Sequence, residues 1–248
     1  HFTKMINGKI EAGPNAVLAL AREGYNWRTI NLKEFTESNL HKESYDAIIH
    51  CAATAPLPEN EVNPPASYEN NVVNTIRIAD YASKIGCKKI IFFSSGAIYE
   101  NDTIFPSSES EHHKTTLVYP TSKMCAEHAL NAYANSYDLE VFSLRLFNLY
   151  GPRQDYFRKQ PPLIGYVLSC LINNREATLF DSGNQRRDYI YIEDILKAIE
   201  LISNNPKSGI FNFVTGYSIS ISSIINLISS SIGIKPRIIY NKKNSHND

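Results

Sequence analysis

Residues 39–150 alternate short apolar runs with amphipathic stretches, and that rhythm constrains the fold more than any other feature of the chain. Asp46-Ala-Ile-Ile-His-Cys-Ala52 is a brief apolar run ending in small residues, the pattern of a strand buried on both faces of a parallel sheet. Pro56, Pro58, Pro64 and Pro65 mark a loop after it. Val72, Ile76, Ala79 and Ala82 recur at helical spacing, which predicts an amphipathic helix over 70–85 with Gly86 as its C-cap. Lys89-Ile-Ile-Phe-Phe-Ser94 reads as a second buried strand, residues 120–137 as a second helix, and Val141-Phe-Ser-Leu-Arg-Leu-Phe147 as a third strand. Strand, helix, strand, helix, strand at this pitch predicts a parallel sheet with crossover helices. Ligands of such sheets bind outside the carboxyl ends of the strands. That rule directs attention to Ala52-Ala53, Ser94-Ser95 and Phe147-Asn148.

After Gly151-Pro152 the texture changes. A loop rich in proline, glutamine, arginine and aromatics covers 151–162, followed by expected helices at 163–173, 193–203 and 220–231 and a strand at 177–180. Residues 151–240 are therefore expected to form a smaller lobe, and Asn241 to Asp248 a polar, frayed tail. With 248 residues, 43% of them apolar, the chain can bury one sizeable core, or a large lobe and a small one. Lys plus Arg equals Asp plus Glu, 25 of each, so no net charge attracts nucleic acid or an acidic membrane. No apolar run has the length to span a bilayer, and no basic-then-apolar signal peptide opens the chain. Cys51, Cys87, Cys125 and Cys170 are far apart, which predicts free core thiols in a reducing cytoplasm. No metal-ligand spacing occurs, and His112 and His113 are expected to be solvated loop residues.

Tyr119-Pro-Thr-Ser-Lys123 is the constellation with chemistry in it. A tyrosine and a lysine at i and i+4 share one helix face, and an ammonium beside a phenol favours the phenolate. That makes the phenol a usable base near neutral pH. In a chain with 15 tyrosines such a match is expected by chance; its context gives it meaning. Ser95 ends the preceding strand, so a hydroxyl, a phenol and an ammonium converge on the carboxyl edge of the sheet, a set suited to hydride transfer at a carbinol carbon.

Six stretches in order then resemble the NAD-dependent epimerase/dehydratase family of extended short-chain dehydrogenases. They are Asp46-Ala-Ile-Ile-His-Cys-Ala-Ala53, Asn70-Asn-Val-Val-Asn-Thr75, Phe93-Ser-Ser-Gly-Ala-Ile-Tyr99, Tyr119-Pro-Thr-Ser-Lys123, Leu144-Arg-Leu-Phe-Asn-Leu-Tyr-Gly-Pro152 and Arg187-Asp-Tyr-Ile-Tyr-Ile-Glu-Asp194. The resemblance implies an α/β fold, a Rossmann-like doubly wound parallel sheet over 39–150, with a small C-terminal substrate lobe. It implies that Ser95 and Tyr119 face the reacting hydroxyl, with Tyr119 as acid/base, and that Lys123 holds the nicotinamide ribose and tunes Tyr119. Cys51, Ala52, Ala53, Asn70 and Phe147 match cofactor-lining positions for NAD, with NADP also open. Asn148 and Arg187 match positions that contact the diphosphate of a nucleotide sugar, and a guanidinium fork suits a phosphate. A homodimer through helices 70–85 and 120–137 is a further implication. The 4,6-dehydratase branch typically carries an Asp-Glu pair directly after the strand-end hydroxyl. Gly96 and Ala97 stand there instead, so an epimerase or keto-sugar reductase is expected rather than a dehydratase.

The amino-terminal segment departs from the family's pattern. A Gly-x-x-Gly-x-x-Gly turn should bring the backbone to the cofactor's pyrophosphate, yet no three of the 11 glycines have that spacing. Gly13-Pro-Asn-Ala-Val17 and Arg22-Glu-Gly-Tyr25 make residues 1–36 similar to an internal segment of the flavin-dependent L-2-hydroxyglutarate oxidase family. Residues 1–38 are therefore expected to be atypical, with a junction near 36–40, and residues 39–150 to form an incomplete NAD-binding domain. Two rival expectations follow. One is a truncated or chimeric pseudoenzyme of the same family, without cofactor binding. The other is a flavin-dependent hydroxyacid oxidase.

Overall fold

A computed structural model describes residues 3–4, 10–11, 45–55, 57–102, 106–110, 113–154, 156, 161–180, 182–203 and 207–241. The chain divides into two compact units, residues 1–146 with 198–213, and residues 147–197 with 214–248.

The first unit is built on a four-stranded, wholly parallel sheet. Its strands are β3 (Ile48–His50), β4 (Lys89–Ser95), β5 (Glu140–Leu146) and β9 (Gly209–Phe213), in the order β3-β4-β5-β9. Two short strands, β1 (Thr3–Lys4) and β2 (Ile10–Glu11), pair antiparallel with each other. Side chains alternate across β4. Ile90 and Phe92 join one buried cluster with Ala79, Ala82, Ala126 and Leu130, which come from helices α3 (Asn74–Ile85) and α4 (Val118–Tyr137). Ile91 joins another with Phe142, Leu144, Ile199 and Ile202, the last two from helix α6 (Ile192–Ser203). With both faces covered, the strands need apolar residues throughout. This is the parallel sheet with crossover helices that the alternating pattern predicts, doubly wound as the family resemblance implies.

Two segments differ from expectation. The proline-rich stretch after β3 contains two short helices, α1 (Leu57–Val62) and α2 (Pro64–Tyr68). Pro64 and Pro65 open α2, where their fixed φ favours a first turn, and the Asn63 side chain accepts from Ala66 N–H at 3.2 Å. The helix expected over 70–85 begins as a π-helical turn, Glu69–Val73, before α3. It ends at Gly86, in the left-handed region at φ 73°, as the C-cap expectation requires.

The second unit contains β6 (Asn148–Tyr150), β8 (Arg186–Tyr191) and β10 (Ser218–Ser220) in one sheet, and β7 (Ala177–Phe180) parallel to β11 (Ile238–Asn241) in another. Helices α5 (Leu163–Ile172) and α7 (Ile221–Ile232) supply Val167, Leu171 and Ile225 to its core beside Leu179. Asn241 closes β11, so it is not part of a frayed tail; residues 242–248 lie outside the described residues, as does nearly all of the segment 1–38.

All four cysteines are free thiols, but Cys51 is exposed and so is not a core residue, while Cys87 and Cys170 are buried. His113 also corrects its expectation. Its side chain is buried, with Nδ1 3.1 Å from Asp102 Oδ1 and Nε2 2.9 Å from the Ser108 carbonyl. Both ring nitrogens thus face oxygen atoms of the protein rather than water. His112 lies outside the described residues. No helix among the described residues is long and apolar enough to cross a membrane.

Candidate active site

The carboxyl ends of β3 and β4, together with the first two turns of α4, carry the catalytic candidates of the first unit. Ser95 is the last residue of β4, paired in register with Leu146 of β5. Its Oγ accepts from Ala97 N–H at 3.1 Å and so caps the 3₁₀ turn Gly96–Tyr99. The hydroxyl hydrogen remains available to donate. Tyr119 lies in the first turn of α4 and is half-buried. Lys123 follows one turn later on the same face and is only 2% exposed.

The environment of Lys123 is unusual for a lysine, a residue almost never fully buried unless paired. Its Nζ donates to the Phe93 carbonyl at 2.7 Å and stands 4.7 Å from the centroid of the Phe92 ring. Burial pulls its pKa down from 10.5 to about 8, opposed by the nearby Cys51 and Glu127. An ammonium has three donors, and the Phe93 carbonyl takes one of them. The other two are not spent on that carbonyl.

His50, the last residue of β3, is fully buried. Burial first, and the Lys123 charge second, hold its pKa at about 3, so the ring is neutral. Its tautomer follows from hydrogen bonding. Thr75 Oγ1 donates to the Asn71 carbonyl at 2.7 Å, so its 2.8 Å contact with His50 Nε2 must be received from the imidazole. Nε2 therefore carries the proton, and Nδ1 is a buried acceptor without a hydrogen-bond partner.

Beyond β3, Cys51, Ala52 and Ala53 run along the sheet edge, with Cys51 exposed and both alanines half-buried. Asn70 Nδ2 donates to Thr54 Oγ1 at 2.8 Å, which ties it to this loop. The adjacent Asn71 is a brace of this candidate site that the sequence did not single out. It is 1% exposed, accepts from Thr54 N–H at 2.8 Å and donates to Ser122 Oγ at 2.9 Å. Ser122 in turn donates to the Tyr119 carbonyl at 2.7 Å. One buried amide thus connects the loop after β3 to the turn of α4 that holds Tyr119. Both asparagines sit in the π-helical turn, a distortion often found at functional sites. The available signal was an Asn-Asn pair placed at the start of an otherwise amphipathic helix.

Phe147, Asn148 and Arg187 belong to the second unit. Phe147 is half-buried between β5 and β6. Asn148 Nδ2 donates to the Asp188 carbonyl at 2.8 Å, a contact that fixes β6 against β8. Arg187 is exposed on β8, with Nη1 3.0 Å from the Arg186 carbonyl. Among the described residues no group of His, Cys, Asp or Glu could hold a metal ion.

The set of a strand-end hydroxyl, a helix-borne phenol and a buried ammonium can move a proton to or from a substrate hydroxyl. The same ammonium and the small residues after β3 fit the ribose end of a dinucleotide. A family model for the NAD dependent epimerase/dehydratase family matches residues 10–213. UDP-glucose 4-epimerase of Mycolicibacterium smegmatis is 30% identical over 191 residues, which are 76% of this chain and 60% of that protein. The solved UDP-N-acetylglucosamine 4-epimerase of Methanobrevibacter ruminantium, in complex with UDP-N-acetylmuramic acid, superposes with a TM-score of 0.81 at 28% identity, covering 87% of this chain and 70% of that one. UDP-glucose 4-epimerase of Thermotoga maritima with UDP-glucose gives a TM-score of 0.76 at 28% identity, covering 81% and 65%. The chain spans 67%, 60% and 45% of the lengths of three curated relatives. The family match starts at residue 10, so it takes in Gly13–Val17, Arg22–Tyr25 and the 36–40 boundary. Those are the stretches on which the oxidase likeness and the junction rested, and nothing in these matches supports a link to a flavin-dependent oxidase.

Proposed function

As the chain belongs to the NAD dependent epimerase/dehydratase family, we propose that it acts on a nucleotide-diphosphate sugar as an epimerase or keto-sugar reductase, by transient hydride transfer at a sugar carbon. The observation that carries this reading is the buried ammonium of Lys123, held at the end of β4 by the Phe93 carbonyl. A structural core has no use for such a group, whereas a phenolate base does. When bound, NAD (or NADP) supplies the hydride acceptor and returns the hydride.

Tyr119 takes the proton of the reacting hydroxyl and gives it back. Ser95, whose Oγ already accepts from Ala97, donates its own hydrogen to the same substrate oxygen and orients it. Lys123 lowers the proton affinity of Tyr119 and grips the ribose. Cys51, Ala52, Ala53, Asn70 and Phe147 line the cofactor, and Asn148 and Arg187 hold the diphosphate, so that binding energy remote from the reacting carbon keeps the sugar in place. Gly96 and Ala97 carry no group that transfers protons, which favours epimerisation or reduction over loss of water. The relatives' own ligands, UDP-glucose and UDP-N-acetylmuramic acid, support the substrate class. A homodimer in the cytoplasm completes the proposal.

Titration of the purified chain with NADH, followed by nicotinamide fluorescence and then by UDP-sugar interconversion, tests it. Micromolar, saturable binding that is lost in Lys123→Ala is the expected result. A folded chain that binds nothing at millimolar NADH would leave the alternative, a family member without cofactor binding, in keeping with the lack of Gly-x-x-Gly-x-x-Gly spacing in the sequence.

A further inference from the structure

Glu127 lies one helical turn beyond Lys123 and two beyond Tyr119, on the face of α4 turned to the sheet. It is 4% exposed. Its Oε1 accepts from Ser94 Oγ and from Arg145 Nε at 3.1 Å, and its Oε2 accepts from Arg145 Nη2 at 2.8 Å. The pair is a bidentate fork with both side chains removed from water. Arg145, on β5, uses its third nitrogen on the Tyr99 hydroxyl at 2.9 Å, and its guanidinium lies 5.1 Å from the centroid of the Tyr99 ring. Tyr99 belongs to the 3₁₀ turn that Ser95 caps, and its hydroxyl donates to Asn212 of β9. One buried network thus joins α4, β4, β5, β9 and the turn after Ser95.

Its geometry has the properties of a register device. Lys123 is bonded to Phe93 and Glu127 to Ser94, so side chains one turn apart on the helix hold successive residues of β4. A slip of α4 by one residue moves each side chain by about 1.5 Å along the axis and about 100° around it, and breaks both anchors. Buried ion pairs contribute little net stability compared with apolar side chains of equal volume, so tightness of packing alone does not call for a carboxylate here.

We propose that Glu127 and Arg145 are positioning residues for Tyr119 and Lys123: their ion pair fixes α4 against β4 in the single setting that keeps both side chains at the strand end carrying Ser95. The inference rests on the reading of Tyr119 and Lys123 given above and adds two residues to which no role has been attached. The carboxylate also has an electrostatic effect. Lys123 lies within reach of Cys51 and His50 from the end of β3, the Phe92 ring and Phe93 carbonyl from β4, and Glu127 on its own helix. Burial drives the proton off Lys123, and Cys51 and Glu127 oppose it. A neutral side chain at position 127 removes one of these opposing charges.

The test uses the full chain with Glu127→Gln, which keeps the shape and loses the charge, and Arg145→Lys, which keeps the charge and loses the fork. In Glu127→Gln, NMR titration of ¹⁵N-labelled lysine is expected to place the Lys123 midpoint at lower pH than in the wild type. The turnover number for UDP-sugar interconversion is expected to fall by about 10- to 100-fold, with KM values within about threefold and the alkaline limb of kcat moved to lower pH. In Arg145→Lys, kcat is expected to fall while the Lys123 midpoint stays. A Glu127→Gln chain that folds and keeps the wild-type kcat, alkaline limb and lysine midpoint overturns the proposal. If that variant does not fold, an unchanged kcat in Arg145→Lys overturns it equally. A wild-type chain that neither binds NADH nor converts a nucleotide sugar sinks the epimerase-type reading, and the positioning role with it; the lysine titration, which needs no turnover, then decides only whether the Glu127 carboxylate acts on Lys123.

Discussion

Burial takes the Lys123 pKa from 10.5 to about 8, so the folded chain pays for its ammonium at neutral pH. The sign is fixed by linkage: between about pH 8 and 10.5 the unfolded chain holds more protons than the folded one, so this group's contribution to stability rises with pH there. Below that window the whole penalty stands, on the order of 3 kcal/mol at 1.36 kcal/mol per pKa unit. Lys123→Met should therefore melt at a higher temperature than the wild type near pH 7 and lose that advantage as the pH approaches 10.5, as a pair of calorimetric series would show. His50 acts in the other direction of pH. Its folded pKa of about 3 lies below the ordinary 6.5, so from 6.5 downward the unfolded chain gains a proton that the folded chain refuses. Stability should fall by about 2 kcal/mol between pH 7 and pH 5 from this residue. The drop in urea midpoint should be smaller in His50→Gln; an equal drop would refute the assignment. At this scale the sequence offered Ser95, Tyr119 and Lys123 as candidates, and it placed them on the right elements because a strand-end hydroxyl and an i, i+4 pair are visible as spacing. Asn71, Glu127 and Arg145 were not visible as braces, because their partners lie on other elements and only folding brings them together.

Among the elements, α3 ends at Gly86 in the left-handed region, with open space where a Cβ would stand. Gly86→Ala should thus cost about 1 kcal/mol from backbone strain alone, without a steric clash, which chemical denaturation can measure. Helix α4 was legible almost to the residue, since four alanines with the apolar Met124, Leu130 and Tyr133 favour a helix between Pro120 and Asp138. The strand β4 was legible for the same reason, as a continuous β-branched and aromatic run. By contrast β9, which completes the parallel sheet beside β5, was not expected. Gly209-Ile-Phe-Asn-Phe213 is short, and five residues carry too little pattern to choose a side of the sheet. The short helices α1 and α2 were hidden by their prolines, which terminate a helix in its interior but favour its first turn.

For the molecule as a whole, equal numbers of acidic and basic residues, 25 each, put the isoelectric point near 7.2. With no net charge to oppose association, light scattering from the purified chain should peak close to pH 7.2 and decline towards pH 8.5. The fold class was readable from the alternation of strands and helices because a parallel sheet forces a crossover between successive strands. The assignment of 198–213 to the first unit was not readable, since it depends on a chain that leaves the sheet at β5 and returns at β9. The double anchorage of α4 on Phe93 and Ser94 has a consequence for divergence among related chains. The stretch between Ser95 and Tyr119 is pinned at both ends, so it can gain or lose residues while its ends stay in place. A single insertion between Tyr119 and Glu127 turns the helix face that carries Tyr119 and Lys123 away from the strand. Variation in length should therefore accumulate before the helix and be purged within its first three turns.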